Sequence, residues 1–584
     1  MASKRRRRRS TPKQAQPARA PEPVVEVTRP EVVYQRETPF GDVEDFAAGQ
    51  ADERQLQLLM RDWRKGRATR TVWDMLTDSY VTAFSAIVVI AMVVSGIMSV
   101  QQSAAGCSTE GCVTARGLLP WMTLTLVVLL ALTVSRIFGP VIASAAEGFW
   151  MLDAPIRRAR LLSRRLWGVT LAGLAIGALL GGLIGMVTGL DLAAVAVWAL
   201  ATGLAAAAVV AFAAGEQTAD RGVILGTLAA IVGVVGVGLL AAMVGVSAGV
   251  ISIELDPART EALGWVVAAV AAVLLVAAFA SARVRLSNLR RARLVSGGDL
   301  LSGMQGAMFA LDFGLMRDIL VERRWLAKGH VHPVRGRASG RATLVWREIE
   351  KLQRNPRGVL VLLASALVPY ALLSLGLGNL TPALSAIVLM FVMVPFFDSL
   401  RVLSRTRGLA RAFPMSTSEI NGALTTVPLG LALVWALAAA PAFAIIGQDS
   451  LDWGALGTAV MKAVITAIAG YVGAIRWVSA KSADYSSPMV ATGFGAMPPS
   501  LAFNLVRGFD VIALITLPLL IGWPPMISLV IAAIAYMVLR SGGFNTQEMM
   551  DRNEEAKREL EVMKGQGQGR SREKITYTRG QGTR

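Results

Sequence analysis

The sequence predicts an all-α, polytopic transmembrane helix bundle with about 12 spans and an imperfect internal duplication. The chain of 584 residues is 54% hydrophobic, with a mean hydropathy of +0.52, far from a soluble globular profile. Its apolar runs are continuous, as in SYVTAFSAIVVIAMVVSGIMSV at residues 79–100. Such a run matches the roughly 20 residues that cross a bilayer as a helix, and lacks the alternation of a spanning strand. Lys and Arg gather in alternate loops, within a net charge of +19. Abundant Ala, Gly and Val suit closely packed membrane helices, where small residues let backbones approach.

The elements follow in order. Residues 1–54 read as a disordered tail, with a basic block at 4–9 and a Pro-rich stretch after it. The first transmembrane half occupies 55–320, with spans at 79–100, 118–138, 167–188, 191–213, 223–245 and 263–282. A basic cytoplasmic linker fills 321–341. The second half occupies 342–545, with spans at 359–378, 381–398, 424–446, 453–475, 509–522 and 525–540, before a polar, basic tail at 546–584. With its first apolar run near residue 79, the chain shows no cleavable signal peptide pattern.

Charge sets the expected orientation. The loops at 157–165, 283–357, 401–411 and 476–507, together with both tails, carry the cations. The opposite loops hold Glu254, Asp256, Glu261, Asp449 and Asp452, with Arg116 and Arg259 as exceptions. The positive-inside rule then predicts a multi-pass membrane protein with both termini cytoplasmic. The N-terminal basic block fits adhesion to anionic membrane lipid, at about 1 kcal/mol per charge, or a solvated topology determinant. No nucleic-acid-binding signature accompanies the charge.

The two halves echo each other. Each opens on a charged, Trp-containing amphipathic segment, at 59–80 and 342–358, of the kind that lies at a membrane interface. Each then carries a cytoplasmic loop with a helix-start signal. In FWMLDAPIRRARLL, Asp153 can cap, Pro155 suits a first turn, and Arg157, Arg158 and Arg160 follow. In RAFPMSTSEINGAL, Ser416 and Glu419 have capping-box spacing. A third echo is GAM followed by F-x-L-x-R, at 306–308 with Phe313, Leu315 and Arg317, and at 495–497 with Phe503, Leu505 and Arg507.

Chemistry-bearing motifs are sparse. There is no G-x-x-x-x-G-K-[ST] phosphate loop and no H-E-x-x-H, and no cofactor, catalytic or metal residue is assigned. His330 and His332 form an isolated H-x-H without further ligands nearby. No apolar run carries an interior Asp or Glu, so the buried acids that proton- or sodium-driven pumps use are missing from this reading. Lys462 stands alone at membrane depth, at an insertion cost of about 2.5–3.5 kcal/mol. It reads either as a polar pathway or anionic-headgroup contact, or as a snorkelling residue. Cys107 and Cys112 bracket the loop GCSTEGC, which can close as a disulfide or stay as two thiols.

From the segment at 61–80 and the two loops above, the chain resembles actinobacterial permease-like proteins related to ABC-2-type exporters, over most of residues 55–540. That resemblance implies a permease subunit energised by a separate ABC-type ATPase, which would meet the segments at 61–80 and 342–358 and the two capped loops. The chain departs from the usual six-span half. The expected function is therefore the membrane-spanning subunit of an ATP-driven exporter, not itself an enzyme, working alone or as a homo-oligomer. The alternative is a non-transporting membrane scaffold or regulator with basic cytoplasmic faces. An ion-coupled carrier ranks third.

Overall fold

The structure, a computed structural model, describes residues 110–150, 158–219, 222–248, 257–309, 311–330, 335–375, 377–406, 412–445, 453–479, 490–492, 495–497 and 506–540, with single positions elsewhere. Among them, nine helices are long and apolar enough to cross a membrane, followed by two shorter apolar helices. Every expected span from 118–138 onward has its helix; the first, 79–100, falls mostly outside the described residues. The chain is a multi-pass membrane protein by helix length and hydropathy.

The first half begins with α1 (Glu110–Gly117) and α2 (Leu119–Phe138), which has Pro120 in its first turn, where a missing N–H costs nothing. Gly139 ends α2 at φ 78°, its N–H bonded to the Ser135 carbonyl at 2.9 Å. Then come α3 (Ala145–Trp150), α4 (Arg158–Val187), α5 (Leu192–Thr218), α6 (Gly222–Ser247) and α7 (Pro257–Arg285). Asp191 caps α5 by accepting from the Ala194 N–H at 3.3 Å. Helix α5 is the centre of this half, buried along both its small-residue faces. Gly177 and Gly203 let α4 and α5 close to backbone contact, where an added Cβ on Gly203 would sit 2.8 Å from the Leu174 carbonyl. The Thr202 hydroxyl crosses that interface to the Gly177 carbonyl at 3.1 Å. Lipid tails are as apolar as Leu, so this close contact supplies the attraction that the hydrophobic effect supplies in water.

Two further helices, α8 (Arg291–Phe309) and α9 (Phe313–Lys328), form a hairpin outside the spans. The second half holds α10 (Arg341–Arg354), α11 (Pro356–Ser365), α12 (Val368–Ser374), α13 (Thr381–Met393), α14 (Asp398–Arg405), α15 (Thr417–Ile445), α16 (Trp453–Val478), α17 (Phe509–Ile521) and α18 (Pro525–Arg540). Helix α13 runs through a short 3₁₀ turn into α14, so one span continues past the bundle as an amphipathic segment. Helix α16 is the most enclosed span. Around it the Tyr471 hydroxyl donates to the Thr425 carbonyl at 3.1 Å, and the Trp435 indole donates to the Ser365 hydroxyl at 3.1 Å. These two buried aromatic tips thus find partners within the bundle.

The GAM echo does not mark one repeated structure. Gly306–Met308 lies within α8, whereas Gly495–Met497 is the second strand of a small antiparallel pair with Val490–Thr492. Pro498 and Pro499 directly follow the second copy, and proline cannot continue a helix.

The halves meet at both ends. At the end where the loops are poor in cations, Leu118, Leu240, Met243 and Val246 of the first half pack with Ala371 of α12. At the basic end the α8–α9 hairpin reaches from one half to the other, and its contacts define the site below.

Candidate functional site: a charged seam at the basic end

Helix α8 is fastened to the first half by backbone. The Ala143 N–H donates to the Leu294 carbonyl at 3.1 Å. A Cβ on Gly297 would run into the Phe138 carbonyl, and one on Gly298 into the Ala143 carbonyl, so glycine is required at both positions. The stretch it rests on is itself braced. Ser144 and Glu147 form a capping box at the start of α3, with backbone-to-side-chain bonds of 3.0 and 3.3 Å. Arg165 of α4 then pairs with Glu147 at 2.7 Å. Burial pushes the Glu147 carboxyl up, but the Arg165 guanidinium and the Ser144 donors outweigh it and hold the group below the usual carboxylate range.

Helix α9 is fastened to the second half by charge. Asp312 caps it, accepting from the Leu315 N–H at 2.9 Å, and also takes Arg405 at 3.4 Å. Arg317 pairs with Asp398. Asp318 receives both Arg401, in a two-point contact with one bond at 2.9 Å, and Arg405 at 2.9 Å. Arg401 is 3% exposed and continues to the Val478 carbonyl of α16 at 3.4 Å. Gly314 leaves space for that guanidinium. Nearby, Arg476 pairs with Asp510 at 3.2 Å. Burial lowers the Arg507 pKa, the Arg476 charge lowers it further, and Asp510 and Asp312 pull the other way. Both arginines of the F-x-L-x-R echo therefore arrive at one seam, although their local structures differ.

Helix α10 adjoins this seam. Its first residue, Arg341, pairs with Glu419. Glu419 closes a capping box with Ser416, at 2.9 and 3.4 Å, that starts α15. At its other end Lys351 reaches the Phe396 carbonyl at 3.3 Å and the Ser399 hydroxyl at 3.4 Å, with Glu348 buried beneath at 3.2 Å. The amphipathic segment at the head of the second half thus touches the capped turn at one end and the seam at the other.

The remaining sequence-level residues are placed less centrally. Asp153, Pro155, Arg157 and Cys107 lie outside the described residues, as does the segment at 61–80. Arg158 opens α4, Arg160 is exposed two residues on, and Cys112 lies in α1. His330 is exposed, and His332 is outside the described residues. Lys462 is exposed on α16. One expectation changes: α5 runs five residues past 213 and takes Glu216 with it, 8% exposed, with its Oε2 lacking a hydrogen-bond partner. Position 213 marks the end of the unbroken apolar run, while the helix continues to the next turn. Sequence reasoning also missed the seam acids Asp312, Asp318 and Asp398 and the first capping box, for which S-x-x-E at 144–147 was the available signal.

Residues 112–488, more than half of the chain, match one family. The chain belongs to DUF6297, a family of unknown function. The matched stretch runs from α1 to α16 and contains the α8–α9 strap and most of the seam; it leaves out residues 55–111, with the first expected span, and α17 and α18. No curated protein and no solved structure matches the chain.

Proposed function

We propose that this protein is the permease subunit of an ATP-driven exporter in a bacterial plasma membrane, energised by a separate ABC-type ATPase on its basic, cytoplasmic side. The carrying observation is the position of α10 between the Ser416–Glu419 turn and the seam. A push on that exposed basic surface has a rigid route to α14, and through Asp318 and Asp398 to the strap that joins the halves. The apolar contact at the far end supplies a pivot. The sequence resemblance to ABC-2-type permeases points the same way.

The test is recovery of partners from native membranes in mild detergent. A stoichiometric ATPase is expected with the intact chain and is expected to be lost when Arg157, Arg158 and Glu419 are replaced. Recovery of envelope-synthesis proteins without an ATPase would put the scaffold reading first. Glu216 favours a second reading, ion coupling: it is a buried acid without a hydrogen-bond partner in the last turn of a spanning helix, and buried acids in such helices mark ion pathways. That reading requires flux driven by a proton gradient without ATP and abolished in Glu216→Gln.

A further inference from the structure

Helix α16 changes character along its length. From Ala463 inward it is enclosed by neighbouring helices, with Ala463, Ile465, Thr466, Ala467 and Ala469 all buried. Its outer third is open on one face: Gly457, Thr458, Val460 and Lys462 are exposed while Ala459 is buried, and nothing lies within 4 Å of where a Cβ on Gly457 would be. Lys462 is the last exposed residue before the helix closes over, so it marks the inner end of this open face, a notch one helix face wide.

Its depth follows from helix geometry. Lys462 lies nine residues inside Trp453, the start of α16, or about 14 Å along the axis at 1.5 Å per residue. That is close to the midplane of a hydrocarbon core about 30 Å thick. The lysine stem leans toward the helix N-terminus, past Thr458, but reaches only about 6 Å. It leaves the ammonium well short of the headgroup level. Among the described residues no carboxylate pairs with it; the side-chain bond at this position is the Thr466 hydroxyl donating to the Lys462 backbone carbonyl, at 2.7 Å. A cation exposed at that depth needs an anion brought to it.

We propose that this notch binds an anionic amphiphile, its phosphate or carboxylate head on Lys462 and its chain along the open wall of α16. The proposal deepens the exporter reading by naming a substrate class for it, and rests on that reading only for the word substrate. The occupant is a lipid from the surrounding bilayer: the notch is small-residue and apolar above its single charge, which suits an acyl chain better than a hydrated free ion.

The test uses the full chain in nanodiscs, with photoreactive benzoylphenylalanine at position 458, one turn outward on the face of Lys462. Adducts are identified by mass after illumination, in phosphatidylcholine with and without phosphatidylglycerol. The expected result is a several-fold excess of phosphatidylglycerol adduct over its mole fraction, lost in Lys462→Gln and kept in Lys462→Arg. Equal adduct in Lys462→Gln and the parent chain would overturn the assignment. So would a cross-linked second copy of the chain as the main product, or displacement of the lipid adduct by millimolar inorganic phosphate. Matching thermal unfolding of the parent and the glutamine variant shows that the fold is kept. No ATPase takes part, so the notch can fail while the exporter reading stands.

Discussion

Replacing Asp318 by Asn removes one charge that serves two arginines, and the consequences are unequal. Arg405 retains Asp312 at 3.4 Å. Arg401, 3% exposed, keeps only the Val478 carbonyl at 3.4 Å. Breaking a fully buried pair by deleting one partner costs about 3–5 kcal/mol, because the remaining charge is stranded away from water. The Asp318 side chain is 32% exposed, so part of that penalty is relieved by solvent. We therefore expect Asp318→Asn to cost about 2–3 kcal/mol.

Unfolding in mixed micelles gives the total, and amide exchange shows where it falls. Protection should drop in α9 and α14 and stay constant across α4 and α5, which share no bond with Asp318. The decisive variant is Asp318→Asn combined with Arg401→Met. Removing both charges leaves no stranded cation, so the double variant should be more stable than the sum of the singles by about 1–3 kcal/mol. Additive singles, or an Asp318→Asn cost below about 0.5 kcal/mol, would show that the seam carries no coupled charge energy and would remove it as the joint between the halves.

Three further outcomes follow from the same contacts. Gly298→Ala drives a Cβ into the Ala143 carbonyl and should cost about 1–3 kcal/mol, with α8 exchange accelerated before that of α9. Ser416→Ala should cost about 1 kcal/mol through the lost cap, whereas Arg341→Ala should cost less than about 1 kcal/mol, its side chain being 60% exposed, yet lower ATPase recovery more. Glu147 has a depressed pKa in the folded chain, so its contribution is full above the ordinary value of 4.5 and is lost as pH falls through the folded one. Glu147→Gln should therefore flatten the acid-side fall in unfolding midpoint and leave stability less pH-dependent below about pH 4.5.

The spans were legible because lipid imposes one rule on all of them: about 20 apolar residues in helical form. The capping box at Ser416 and Glu419 was legible for a similar reason, being set by four consecutive residues. The seam was not, since Asp318 and Arg401 stand 83 positions apart and nothing local to either announces the other. The GAM echo shows the converse failure. Three identical letters became helix in one place and strand in the other because the next residues, Phe309 in one and Pro498 in the other, decide whether a helix can continue. Facing was not legible for Lys462: inward of it no described position of α16 is exposed, whereas one face is open at its level, which depends on the neighbouring helices.

The two joints between the halves differ in kind, and that difference bears on how they move. Leu240, Met243 and Ala371 meet through dispersion, which has no preferred direction and changes little when packed surfaces rock by a few degrees. The seam is built from directional, charge-assisted bonds, and its acids Asp318 and Asp398 are partly exposed, so a departing carboxylate meets solvent. A rotation between the halves therefore meets least resistance when it pivots on the apolar cluster and opens at the charged end. Helix α10 touches the seam and not the pivot, so force applied there acts at the end of the longer lever. Salt should weaken the seam without affecting the cluster, because screening reaches partly exposed pairs and leaves dispersion contacts unchanged. Distances between α9 and α14 that widen with ionic strength, while those between α6 and α12 hold, would place the hinge and the gate at opposite ends of the bundle; parallel widening at both would mean that the halves separate as rigid bodies.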